Sequence, residues 1–214
     1  MTNTKSFSYY FLNKRLHPPV SKAFKNSIIL LIINKNKTPN KNKFLLVQQA
    51  NLFWNLPKKG IKAKSIIEDI YTTIARNLEN ELGFKGVRVT ETKPIFKQIA
   101  FLFDFDKQIY DTKRSQKEKA KGNPTKGKIY QLAVMEYRGP DAIPITPKTE
   151  VINHKWVDKK DGLMLMNLNE KLLQPQLIDS KESVVFNIKL FNKVMKAHEQ
   201  LNTLYTNQKQ FELF

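Results

Sequence analysis

The stretch from Trp54 to Phe84, WNLPKKGIKAKSIIEDIYTTIARNLENELGF, constrains the chain more than any other. Pro57 holds Leu56 in extended geometry, and Gly60 permits a turn that other residues resist. Ser65-Ile66-Ile67-Glu68 has the form of a capping box, in which the serine and the glutamate each satisfy a free backbone donor at a helix start. From there Ile67, Ile70, Tyr71, Ile74, Leu78 and Leu82 recur at spacings of three and four, which lines one face of a helix. Gly83 stands where a left-handed C-cap belongs. The pattern predicts one long helix that leaves a Pro-Lys-Lys-Gly turn and stops at Gly83.

The rest of the chain reads as strands and helices that pack behind this helix or wall a cleft beside it. Ser27 to Asn34 is rich in Ile and Leu and predicts a buried strand, and Phe44 to Gln49 a second. The polar, proline-containing segment between them implies a hairpin. Strands are expected at Val87 to Thr90, Pro94 to Phe105, Ile129 to Tyr137 and Glu150 to Val157, with a short helix at Asp158 to Asn167. Val185, Ile188, Phe191, Val194 and Met195 carry the spacing of a long C-terminal helix over Ser183 to Leu204. Residues 106–128 hold seven lysines and one arginine against Asp106, Asp111 and Glu118, and end near Gly122-Asn123-Pro124. That composition reads as an exposed, mobile basic loop. One domain is expected over residues 26–204, with an arm before it (1–25) and a fraying tail after it (205–214).

Composition closes off several classes of function. The longest apolar run, Ile28 to Ile33, has the length of a strand rather than of a membrane span, and no signal peptide is expected at the N-terminus. Without cysteine there are no disulfides and no thiolate metal sites, which fits a cytoplasmic protein. His17, His154 and His198 are too scattered for a zinc site, so any metal has oxygen ligands. The net charge of +18 suits a nucleic-acid or polyphosphate partner, or else reflects a general richness in lysine.

The order strand, strand, Trp-x-Leu-Pro-x-x-Gly, helix, Glu-x-Gly resembles the Nudix hydrolase family, whose box is Gly-x5-Glu-x7-Arg-Glu-U-x-Glu-Glu-x-Gly-U with U apolar. Counted back from Gly83, Arg76 falls on the box arginine, Leu78 on an apolar position and Glu81 on the second of the paired glutamates, with Phe84 last. Asn77 and Asn80 stand where the box has glutamates. Glu68 lands either on the remaining box glutamate, with Lys62 in place of the opening glycine, or is only the partner of Ser65 in a helix longer by about a turn. Lys59 replaces a glycine common in the family, and Glu150-Val-Ile-Asn-His-Lys-Trp156-Val resembles a strand of its RNA pyrophosphohydrolase and dinucleoside polyphosphate hydrolase branch.

The resemblance implies an α/β/α sandwich on a mixed sheet with the box helix beside the cleft. It also implies Mg2+ or Mn2+ held by Glu81, Glu150 and the carbonyls of Asn77 and Asn80, with Arg76 ordering the loop or a ligand. Positions 77, 80 and 81 share one helix face, whereas Glu79 points about 200° away from 77. Asparagine offers a neutral oxygen where a hard cation favours an anionic one, so metal affinity is expected to be weakened.

Trp54, Lys58, Lys59, Gly60 and Tyr110 are the expected substrate contacts, though an aromatic beside a turn, such as Trp54, is more often a core plug, and His154 reads as a structural or exposed residue before a general base. Two functions follow. One is a pyrophosphohydrolase acting on a nucleoside diphosphate linked to X, such as an RNA 5′ end or a dinucleoside polyphosphate. The other is a binding module on the same fold that has lost turnover and holds nucleotide, RNA or a partner protein.

Overall fold

The computed structural model describes residues 23–34, 42–50, 52–61, 70–83, 96–139, 151–171 and 178–211. The run Ile28 to Ile33 has no polar alternation, so the strand that carries it needs cover on both faces. It lies within β1 (Phe24–Asn34), which pairs in parallel with β6 (Gly127–Tyr137) along its whole length. On the outer side of β6 lies β5 (Phe96–Ile109), antiparallel to it.

The other edge of β1 forks. Its C-terminal end meets β2 (Lys43–Gln49) through Ile33 opposite Phe44, and its N-terminal half meets β4 (Lys58–Gly60) through Ser27 opposite Gly60. Between the two prongs runs β3 (Trp54–Asn55), paired with β2, and Leu30 N–H donates to Pro57 O at 2.8 Å to close the gap. The expected hairpin is therefore real but short, because the Trp54 to Gly60 segment takes over the edge of β1. β7 (Val151–Val157) lies along the far side of β2, completing a seven-stranded mixed sheet.

Helices cover both faces, as an α/β/α sandwich requires. On one side Ile28, Leu30 and Ile32 pack with Ile70, Ile74, Leu78 and Leu82 of α1 (Ile70–Leu82). These four helical side chains are fully buried, each contributing about 1.5–3 kcal/mol. On the other side Ile29, Leu31 and Ile33 pack with Met166 of α3 (Lys159–Lys171) and with Phe191, Val194 and Leu201 of α4 (Ile178–Phe211). α1 ends as its sequence predicts: Gly83 has φ +74° and donates its N–H to Glu79 O at 3.1 Å.

Three expectations need correction. Residues 106–128 are not a loop: β5 runs on to Ile109, and α2 (Thr112–Ala120) follows before β6. Asp111 makes that helix possible by accepting from Arg114 N–H at 2.7 Å, an N-cap where composition alone suggested disorder. α4 extends through Phe211, so residues 205–211 are helix rather than tail. The boundary expected at residue 25 falls inside β1, which starts at Phe24. The proposed capping residues Ser65 and Glu68, the strand Val87 to Thr90, Phe84 and Glu150 lie outside the described residues.

Candidate functional site

The fork in the sheet positions the site. The Pro57 to Gly60 segment fills the gap between the prongs, and α1 crosses the same face with its buried stripe on β1. Arg76 joins the two: its Nη2 donates to Gly60 O at 2.7 Å, tying the middle of the helix to the turn sixteen residues earlier. This bond fixes the side of α1 that carries positions 73, 77 and 80 relative to the turn.

Asn77 follows Arg76 and is fully buried, yet neither its Oδ1 nor its Nδ2 has a hydrogen-bond partner. Thr73, one turn earlier on the same face and equally buried, leaves its Oγ1 without a partner. An unmade hydrogen bond at a buried polar group costs about 1–3 kcal/mol, so two such residues side by side mark a place kept polar at the expense of stability. Asn80 is exposed at the next turn, and the side chain of Glu81 lies outside the described atoms. Among the described residues no group of three His, Cys, Asp or Glu side chains gathers to hold a metal.

Two further polar residues, unremarked or discounted in the sequence, lie on this face. Asn55 of β3 and His154 of β7 both stand opposite Val47 of β2, which packs in the α1 core. Partners directly across a ladder share a face, so Asn55, Val47 and His154 form one transverse row. Asn55 donates through Nδ2 to Gln49 Oε1 at 3.3 Å, but its buried Oδ1 accepts nothing, and the buried Nδ1 of His154 is likewise unpartnered. No sequence signal marks them, because a lone Asn or His in a short strand is unremarkable until its neighbours are known.

Burial lowers the His154 pKa below the ordinary value of 6.5. Below about pH 6.5 the unfolded chain then takes up a proton that the folded chain refuses, so this residue makes stability rise with pH until the unfolded histidine is neutral. Urea midpoints of His154→Gln should lose that part of the slope between about pH 5 and 7; an unchanged slope would show that another group carries it.

The expected substrate contacts divide. Trp54 is in the core facing α3 and α4, its backbone N–H and C=O clamped by the Asn169 side chain at 2.8 Å each, which is the position of a core plug. Lys58 faces the same way and donates to Asn187 Oδ1 of α4 at 2.8 Å. Lys59 and Gly60 remain with α1, since Lys59 stands opposite Ile28 of the α1 core. Tyr110 is buried where β5 leaves the sheet, under the Arg114 guanidinium at 4.5 Å, so it offers no open ring face. The structure thus sets Lys59, Gly60, Arg76 and Asn77 on the α1 side and puts Trp54 and Lys58 on the opposite side of the sheet, while Asn80 is exposed on α1 and Tyr110 is covered. Glu150 lies outside the described residues.

Several solved structures resemble the chain as a whole, at low similarity. The chain is similar to a C. elegans Ap4A hydrolase binary complex, with 18% identity, 78% of this chain and 96% of that one covered, and a TM-score of 0.45. It is similar to the Nudix domain of Shewanella oneidensis NrtR complexed with ADP ribose, at 15% identity, 83% and 90% coverage and a TM-score of 0.47. A Nudix hydrolase from M. smegmatis, RenU, matches at 10% identity, 82% and 87% coverage and a TM-score of 0.47. No protein-family model and no curated protein matches the sequence. Likeness at this level concerns the path of the chain, and the chemistry has to be read from the residues.

Proposed function

We propose that the protein is a Nudix-type pyrophosphohydrolase that opens a phosphoanhydride in a nucleoside diphosphate linked to X, with an RNA 5′ end or a dinucleoside polyphosphate as the favoured substrate. The observation that carries the reading is the Arg76 to Gly60 bond beside the buried, unpartnered amide of Asn77. It is a rigid loop-helix junction with oxygen donors kept unsatisfied at the position where a metal-phosphate ligand is wanted.

The donors offered are oxygens, which suits a hard cation in kind, although two of them are neutral. Mg2+ or Mn2+ would be held by Glu81, Asn77, Asn80 and Glu150. When bound, it would neutralise phosphate charge and lower the pKa of a coordinated water. Arg76 keeps the turn at the helix, and Lys59 adds a cation beside Gly60 on the phosphate side. Asn55 and His154, with unmet hydrogen-bonding capacity in one row, are assigned to the nucleoside.

The test is product release from a panel of nucleoside diphosphate derivatives with Mg2+ and with Mn2+. Glu81→Gln should lose on the order of 100-fold or more in kcat/KM while retaining its fold.

The second reading, a binding module without turnover, is favoured by the same asparagines, because Asn77 and Asn80 remove negative charge from the helix face. No release with either metal, together with retained nucleotide binding, would establish it and end the enzyme reading.

A further inference from the structure

The residues between β5 and β6 form a helical hook that, apart from Tyr110, adds no hydrophobic side chain to the core. No residue of α2 is buried. Both of its acids are spent on local structure. Asp111 caps the helix, and Glu118 accepts from Lys25 of β1 at 2.6 Å and from Asn123 at 3.0 Å. Further bonds staple the hook to the sheet end: Ser115 Oγ donates to Thr125 O, Tyr110 N–H to Lys126 O, and Lys126 N–H to Ala23 O.

The cations are treated differently. Lys113, Lys117 and Lys121 are exposed and stand four residues apart, one above another along a single helix line, where like charges repel. The one acid within the helix, Glu118, lies one turn from Lys121 and already accepts from Lys25 and Asn123, so the lysine line keeps an excess of positive charge. At its foot, Lys25 and Lys128 are paired across β1 and β6, so with Arg114 they set three cations around the single Glu118 carboxylate. Burial, then Arg114 and Lys25, push the Lys128 pKa down. Tyr110, buried beneath Arg114, leaves its hydroxyl unpartnered in the same cluster.

We propose that α2 and the Lys25–Lys128 row at its foot form a binding surface for single-stranded RNA, with phosphates along the Lys113, Lys117, Lys121 line. A polyanion relieves the repulsion that the hook's own acids leave standing, and successive phosphates suit successive cations. A membrane is a poor occupant, because the helix sequence TKRSQKEKA has no apolar side to insert. A nucleic acid also uses what lies beside the cations: Ile109 is 65% exposed at the start of the hook, an apolar contact against which the face of a base can pack. The surface is separate from the α1 face, so the inference stands whether or not the cleft turns substrate over.

The experiment measures binding of a labelled single-stranded RNA oligomer by anisotropy across a salt series, without divalent metal. The triple variant Lys113→Ala, Lys117→Ala, Lys121→Ala should lower the slope of log affinity on log salt by about 2, and affinity on the order of 100-fold at about 0.1 M salt. Alanine favours helix at these exposed positions, and circular dichroism checks that the fold is kept. The charge-matched control Lys160→Ala, Lys189→Ala, Lys196→Ala on α3 and α4 should bind nearly as the parent does. Equal losses in the two triples would reduce the effect to net charge and overturn the proposal, as would an α2 triple that binds like the parent. Equal, α2-dependent binding of polyglutamate of matched charge would assign the surface to acidic protein and overturn the RNA assignment.

Discussion

Gly127→Ala is expected to cost about 4 kcal/mol or more, the largest effect expected at the glycines Gly60, Gly122, Gly127 and Gly162. Gly127 has φ +152°, and a Cβ there would lie 1.9 Å from the backbone oxygen of Gln108 and 3.2 Å from Cα of Ile109. Neither atom belongs to a side chain that can swing away. Gly127 also stands opposite Phe24 of β1 and Ile109 of β5, so moving it disturbs two ladders at the point where the hook rejoins the sheet. Gly122, in the turn after α2, makes the contrast. Its φ is +67°, but nothing lies within 4 Å of a Cβ, so Gly122→Ala should cost only the left-handed penalty of about 1 kcal/mol. Urea midpoints of the two variants at equal m-value decide the matter; similar losses would contradict the close approach at Gly127.

The second large effect lies at Asn77. Asn77→Glu places a carboxylate in a fully buried position where the asparagine has no partner. Without metal the folded chain should lose about 3 kcal/mol, the cost of a buried charge without compensation. Divalent metal at a hundredfold excess over its Kd should return about 2.7 kcal/mol, because only the folded state binds it. Turnover should rise on the order of 10- to 100-fold as the helix face regains negative charge. Asn77→Leu separates stability from chemistry: it removes two unsatisfied polar atoms, so it should melt at or above the parent temperature while losing metal binding. Thermal melts of the three proteins with and without Mg2+ carry the test. A Glu variant whose melting ignores metal would remove Asn77 from the metal face.

The frame of this fold was legible in the residues that repeat. The Ile28 to Ile33 run demanded cover on both faces, and the spacing of Ile70, Ile74, Leu78 and Leu82 with Gly83 described α1 correctly over its observed length. α2 was not legible, because it has no apolar period at all. Capping by Asp111 and tertiary staples to β1 hold it, and neither shows in composition. The fork at the edge of β1 was hidden too, since a strand pattern says nothing about which of two neighbours wins an edge.

The site was half legible. Spacing put Arg76 and Asn77 on the helix, and the family resemblance implied that Arg76 holds the turn, whereas Trp54 and Lys58 proved to face the opposite layer because strand alternation through Pro57 turned them there. Asn55 and His154 became visible only when pairing with β2 set them in one row.

The most direct measurement of the central claim, that the Asn77 side of α1 faces metal and phosphate, uses the side-chain amides of isotope-labelled protein. Mn2+ is titrated in the presence of a non-hydrolysable dinucleoside polyphosphate, and each asparagine amide pair is followed by nuclear magnetic resonance. The account predicts that the Asn77 resonances broaden first, while those of Asn169 and Asn187, which lie on the α3 and α4 side of the sheet, stay sharp. An Asn77 amide that stays sharp, or broadens only together with Asn169 and Asn187, would contradict it.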